Sequence, residues 1–135
     1  MITLDDLDRA RLARESIRES TEMLNRIRSS SGLKSPEFDG MPHSSGPSDR
    51  TGHMAVIIAD LEETIKKRES EFESAWSVCE PFVSSIENDM ARICFRFRFQ
   101  YAMTYKEIAS VMGIGHTENS IKCRIYREMK NQKRE

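Results

Sequence analysis

A chain of 135 residues with 38% hydrophobic and 32% charged side chains fits one small domain with an appendage, not two large cores. Its net charge of -1 hides two opposed parts: residues 1–91 carry 11 Lys+Arg against 18 Asp+Glu, a balance of -7, and residues 92–135 carry 10 against 4, a balance of +6. The three cysteines, Cys79, Cys94 and Cys123, have no Cys-x-x-Cys spacing and give no sign of a disulfide framework or zinc site, and with no bilayer-length apolar run and a polar N-terminus the expectation is a cytoplasmic protein without membrane helix or signal peptide.

From Met1 to Ser31 there is no Gly or Pro, and Leu4, Leu7, Ile17, Leu24 and Ile27 recur at helical intervals. The reading is one long amphipathic helix over 1–31. Its charges interleave as Arg9, Arg11, Arg14, Glu15, Arg18, Glu19 and Glu22, a pattern that places opposite signs one helical turn apart. Residues 32–52 change character. Ser35-Pro36, Asp39-Gly40, Met41-Pro42 and Gly46-Pro47 break any regular element, so this stretch reads as a flexible linker that tethers the first helix.

A helical domain is expected over 53–135. Ile58, Leu61, Ile65, Phe72, Ala75 and Cys79 follow a three-four alternation up to Glu80, where Pro81 is expected to end the helix. Val83, Ile86, Met90, Ile93, Phe97 and Tyr101 then define one face of a second helix, paired antiparallel with the first and anchored by Trp76. The alternation of Phe95-Arg96-Phe97-Arg98-Phe99-Gln100-Tyr101 also fits a strand. A helix is preferred because a lone strand has no partner in this chain, and Phe95 and Phe99 then fall off the main stripe.

Thr104 with Glu107 three residues on has the spacing of a capping box, and Ile108, Val111 and Met112 supply a buried face for the short helix that follows. Gly113 and Gly115 mark a turn. A basic helix starts near Thr117 or Glu118, with Ile121, Ile125 and Met129 inward. Taken together, 104–133 reads as a helix-turn-helix of the order used to read DNA, which makes the whole chain an all-α architecture.

With that stripe inward, Asn119, Ser120, Cys123, Arg127 and Lys130 fall on the opposite side and are the candidates for base edges. Arg grips guanine through two hydrogen bonds, and Asn or Ser reads adenine or other edges. Lys106, Lys122, Arg124, Lys133 and Arg134 are candidates for phosphate, which fixes register without carrying sequence information. Thr117 adds the amide donors of a helix N-terminus, and Tyr126 packs on sugar or stays structural. No cofactor is expected. His43, His53 and His116 are scattered, Asp5-Asp6-Asp8 and Glu62-Glu63 read as solvated helix surface, and no nucleophile triad, P-loop or dinucleotide fingerprint occurs, so the chain is not expected to be an enzyme.

The segment Glu107-Ile108-Ala109, Gly113-Ile114 and Ser120-Ile121-Lys122-Cys123-Arg124-Ile125-Tyr126-Arg127 resembles the last DNA-binding region of bacterial sigma factors. That region has a Glu-Ile-Ala helix, a Gly turn and a Thr-Val-Lys-Ser-Arg type recognition helix. Here Ile121 stands six positions after Gly115 and eight after Gly113, a turn two residues longer than that pattern, and Cys123 occupies the place of a small polar residue. With the long first helix and a linker containing Ser35-Pro36, Gly40-Met41-Pro42 and Ser48-Asp49-Arg50-Thr51-Gly52, nearly the whole chain resembles small phage-encoded sigma-like regulators of the ArpU and RinA type. The resemblance implies binding of double-stranded promoter DNA, a role at phage late genes and RNA polymerase as partner. The competing expectation is an oligomeric helical adaptor, for example in phage DNA packaging, without specific DNA reading.

Overall fold

A computed structural model describes residues 1–30 and 49–134, and every regular element among them is helical. The chain forms two compact units, one of Met1–Glu15 with Glu69–Glu135 and one of Ser16–Arg68. Most of the expected linker lies outside the described residues. Its last four, Asp49-Arg50-Thr51-Gly52, open the second helix rather than close a linker. One glycine in a first turn costs about 1 kcal/mol against alanine, a small fraction of what holds a helix of 37 residues.

Helix α1 (Leu4–Ser30) is capped by a feature the sequence reading overlooked: the Asp6 N–H donates to Thr3 Oγ1 at 3.2 Å, and the Thr3 N–H returns to Asp6 Oδ2 at 3.0 Å. These bonds from Thr3 hold the Asp6 carboxyl below its ordinary range. In the first unit α1 buries Leu7, Ala10 and Ala13; Leu4, expected in the stripe, is only half-buried. Of the interleaved charges, Arg11 bridges Asp8 and Glu15 at 2.9 and 2.8 Å. Arg14 lies over the Phe72 ring at 4.0 Å and donates to the Gln100 carbonyl at 3.1 Å.

Helix α2 (Asp49–Ser85) passes through Pro81, contrary to expectation. Proline removes one backbone bond, but Pro81 and Ser77, whose carbonyl loses its donor, both face solvent. Beyond it Val83 is fully buried and Phe82 meets Phe95 edge-on at 5.7 Å. Burying Val83 fully and Phe82 in part is worth roughly 2–4 kcal/mol, which offsets a proline cost of about 3.

The bend therefore falls at Ile86-Glu87-Asn88. Asn88 caps helix α3 (Asp89–Phe95) by accepting from the Ala91 N–H at 3.0 Å, and a π-helical turn, Arg96–Gln100, continues it. This restart moves the buried face. Met90, Ile93 and Tyr101, expected inside, are 37%, 38% and 50% exposed, whereas Ala91, Cys94, Phe95, Phe99 and Ala102 are buried. Phe95 and Phe99 thus form the core of this segment. The cap resets the helical phase, and the wider π turn brings both phenylalanines inward, with centroids 5.7 Å apart.

The end of α2 runs antiparallel to the end of α3 and the start of the π turn, as the pairs Glu80 with Arg96 and Phe82 with Phe95 show. Trp76 is buried at this seam, stacked on Phe72 at 6.2 Å and donating to Glu80 Oε2 at 2.7 Å. The π turn closes with the Tyr101 N–H on the Arg96 carbonyl at 3.0 Å, and Ala102 follows at φ +54 with its methyl buried.

In the second unit, the Ser16–Ser30 part of α1 buries Ile17 and Leu24, and Arg28 pairs with Glu62 of α2. Ile58, Leu61 and Ile65 are half-buried, while Met23, Val56 and Ile57 are exposed. Among the described residues no helix is long and apolar enough to cross a membrane.

Candidate nucleic-acid interface

Helix α4 (Tyr105–Met112) begins where the sequence places it. Glu107 N–H donates to Thr104 Oγ1 at 3.1 Å and Thr104 N–H to Glu107 Oε1 at 3.3 Å, completing the capping box. Its inward face is narrower than expected: Ile108 is fully buried and Met112 half-buried, but Val111 is 62% exposed. An eight-residue helix presents only about two turns to a neighbour, so one apolar residue per turn reaches the core.

Helix α5 (Glu118–Arg134) follows a turn built on two glycines at φ +91 and +93, Gly113 and Gly115. Gly113 N–H closes α4 on the Ala109 carbonyl at 3.1 Å, and His116 N–H closes the turn on the Gly113 carbonyl at 3.2 Å. Thr117 and Ser120 then bond each other's main chain: Ser120 N–H donates to Thr117 Oγ1 at 3.1 Å and Thr117 N–H to Ser120 Oγ at 2.9 Å. Helix α5 packs against α4 and α3 through Ile121, Ile125 and Met129, which are 1%, 1% and 7% exposed.

On the side away from that stripe, Asn119, Cys123, Arg127 and Lys130 are exposed, as is Tyr126. Ser120 differs from these four. It is half-buried and its hydroxyl is committed to Thr117, donating to the Thr117 carbonyl at 2.8 Å, so it positions the helix start rather than standing free for a base edge. Thr117 is exposed, but its hydroxyl likewise serves the cap.

Among the phosphate candidates, Lys106 is exposed at the start of α4, and Lys122 and Arg124 are half-buried on the flanks of α5. The side chains of Lys133 and Arg134 lie outside the described residues. Lys122 Nζ stands 5.1 Å from the Tyr105 ring, whose other cation is Arg98 at 4.2 Å. Arg98 also donates to the Met103 carbonyl at 3.0 Å. The sequence reading missed this cluster because Arg98, Tyr105 and Lys122 stand on three different elements, so no spacing along one helix brings them together.

Near the far end of α5, Gln132 acts as a main-chain surrogate for the N-terminus. Its side chain accepts from the Ile2 N–H at 2.9 Å and donates to the Ile2 carbonyl at 2.7 Å. The helix is thereby fixed at its start by a cap, along its length by an apolar stripe and near its end by the N-terminal segment. What remains outward is an Asn, a thiol, two cations and a Tyr, a set able to donate hydrogen bonds and neutralise anions.

No family model, curated protein or solved structure matches this chain.

Proposed function

We propose that the chain is a non-enzymatic, sequence-specific DNA-binding regulator of transcription in which α4, the glycine turn and α5 act as a helix-turn-helix. The observation that carries this reading is the division of α5: Ile121, Ile125 and Met129 are buried, and Asn119, Cys123, Arg127 and Lys130 are exposed opposite them. A helix so divided presents polar and cationic groups along one side at the width a major groove admits. By the resemblance to sigma factors RNA polymerase is the partner, by that to the phage-encoded sigma-like regulators the promoter is a phage late promoter, and transcription of this kind takes place in the cytoplasm. The other unit and the acidic half of the chain are then available for protein contacts.

Selection of duplexes from a random pool by the full chain tests this. An enriched site should bind at least about a thousandfold more tightly than random duplex; equal affinity for both would overturn the proposal. Arg127→Ala should cost roughly 1–3 kcal/mol on the enriched site and relax its preference, whereas Lys106→Ala should weaken all duplexes alike.

A second reading, an oligomeric helical adaptor, is favoured by the exposed Met23, Val56 and Ile57 of the second unit. It requires a defined oligomer without DNA, and a monomer in sedimentation would remove it.

A further inference from the structure

The turn between α4 and α5 holds Ile114 wholly in solvent, at 106% relative exposure, the highest of the large apolar side chains described. It is not held loosely. Gly113 adopts φ +91 and ψ -159 and Gly115 φ +93, and the bond from His116 N–H to the Gly113 carbonyl makes Ile114 the second residue of a tight turn with glycine third, as a type II turn requires. The α4 end is fixed by Gly113 on Ala109 and the α5 start by the reciprocal bonds of Thr117 and Ser120. An apolar side chain is thus pre-positioned in water between two anchored helix ends, so covering it gains apolar burial with little ordering cost.

The two extra residues of this turn place Ile114 four positions ahead of Glu118, beyond the leading end of α5. In a docked helix-turn-helix that leading end is the part that approaches base edges. The apolar feature of a major-groove edge is the thymine C5-methyl group. Val111, on the last turn of α4, is also exposed. We propose that Ile114 is a specificity residue that reads a thymine methyl in the DNA bound by α5, an inference that rests on the DNA-binding reading above. The lengthened turn then has a use: it carries one apolar contact past the helix that supplies the polar ones.

The test uses duplexes enriched from a random pool by the full chain, resynthesised with uracil for thymine at one position at a time, which removes only the methyl. At one or two positions uracil should weaken wild-type binding about fourfold, the effect of one buried methyl. Ile114→Ala should bind the thymine and uracil forms alike there, with its melting temperature unchanged. Wild-type indifference to uracil everywhere overturns the inference, as does uracil sensitivity that persists in Ile114→Ala. A pool that yields no enriched duplex fails differently: it removes the DNA-binding reading and the inference with it.

Discussion

Glu80 gathers three partners on one partly exposed carboxylate. Arg96 donates to both of its oxygens, at 3.0 and 3.1 Å, Ser84 to one at 2.9 Å and Trp76 to the other at 2.7 Å. Chiefly through Arg96, these hold its carboxyl below the ordinary value of 4.5. A carboxyl whose folded value is depressed stabilises the fold above its unfolded value, and that contribution is lost as pH falls through the folded one. Since Glu80 is 41% exposed, it is worth under about 1 kcal/mol. Glu80→Gln should therefore melt lower than wild type at neutral pH, with the gap closing below pH 4.5; a gap independent of pH would show that packing, not charge, is what the substitution removes. Thiol chemistry divides the cysteines in a similar way. Cys79 and Cys94 are fully buried, burial pushes the Cys79 thiol up to about 11, and Cys123 is exposed on α5. Native protein should react with one equivalent of a maleimide at Cys123 and with three only in denaturant, and bound duplex should shield that one.

The glycine turn is the joint whose torsions decide how α4 meets α5. Gly113, at φ +91 and ψ -159, lies in a region that side-chain-bearing residues essentially avoid, although a Cβ there would meet nothing within 4 Å. Gly113→Ala should thus lose about 1–3 kcal/mol from backbone torsion alone, measurable by urea denaturation; unchanged stability would mean that the turn adopts another path at no cost. Local chemistry of this kind is legible in the sequence: Thr104 with Glu107 and the two glycines act within a few residues of themselves, and Ile121, Ile125 and Met129 share one helical spacing. What could not be read was set at a distance. Pro81 stays helical while Phe82 meets Phe95 of α3 and Val83 is buried; Val83 and Ile86 keep their expected place inside, but Ala91, Cys94, Phe95 and Phe99 take the place of Met90, Ile93 and Tyr101 because Asn88 and a π turn reset the phase. By its angle on the helix Ser120 points toward the outer side. Its commitment to Thr117 follows from where α5 starts, a boundary that periodicity leaves open by a residue or two.

Charge is distributed along the chain in a way that the total conceals. The +6 of residues 92–135 includes the whole of α4 and α5, while of the -7 of residues 1–91 the helix α2 carries -4, with 4 Lys+Arg against 8 Asp+Glu, and α1 is neutral, with 6 of each sign. Electrostatic attraction to a phosphate backbone depends on cations close to it, because the field of the acidic part is screened beyond a Debye length of about 8 Å at physiological salt. An acidic pI near 6.3 is then no obstacle to DNA binding, but it removes the long-range attraction that a uniformly basic protein would use. Binding should be salt-sensitive in proportion to the phosphates contacted, not to net charge. If Lys106, Lys122, Arg124, Lys133 and Arg134 each neutralise one phosphate, the logarithm of affinity should fall against the logarithm of salt with a slope of about -4.5. Removing Lys106 by alanine should reduce that slope by about 1 without changing which sequence is preferred. A slope near zero would place the chain's attraction to DNA outside electrostatics altogether, and a slope unchanged by Lys106→Ala would take the start of α4 off the phosphate backbone.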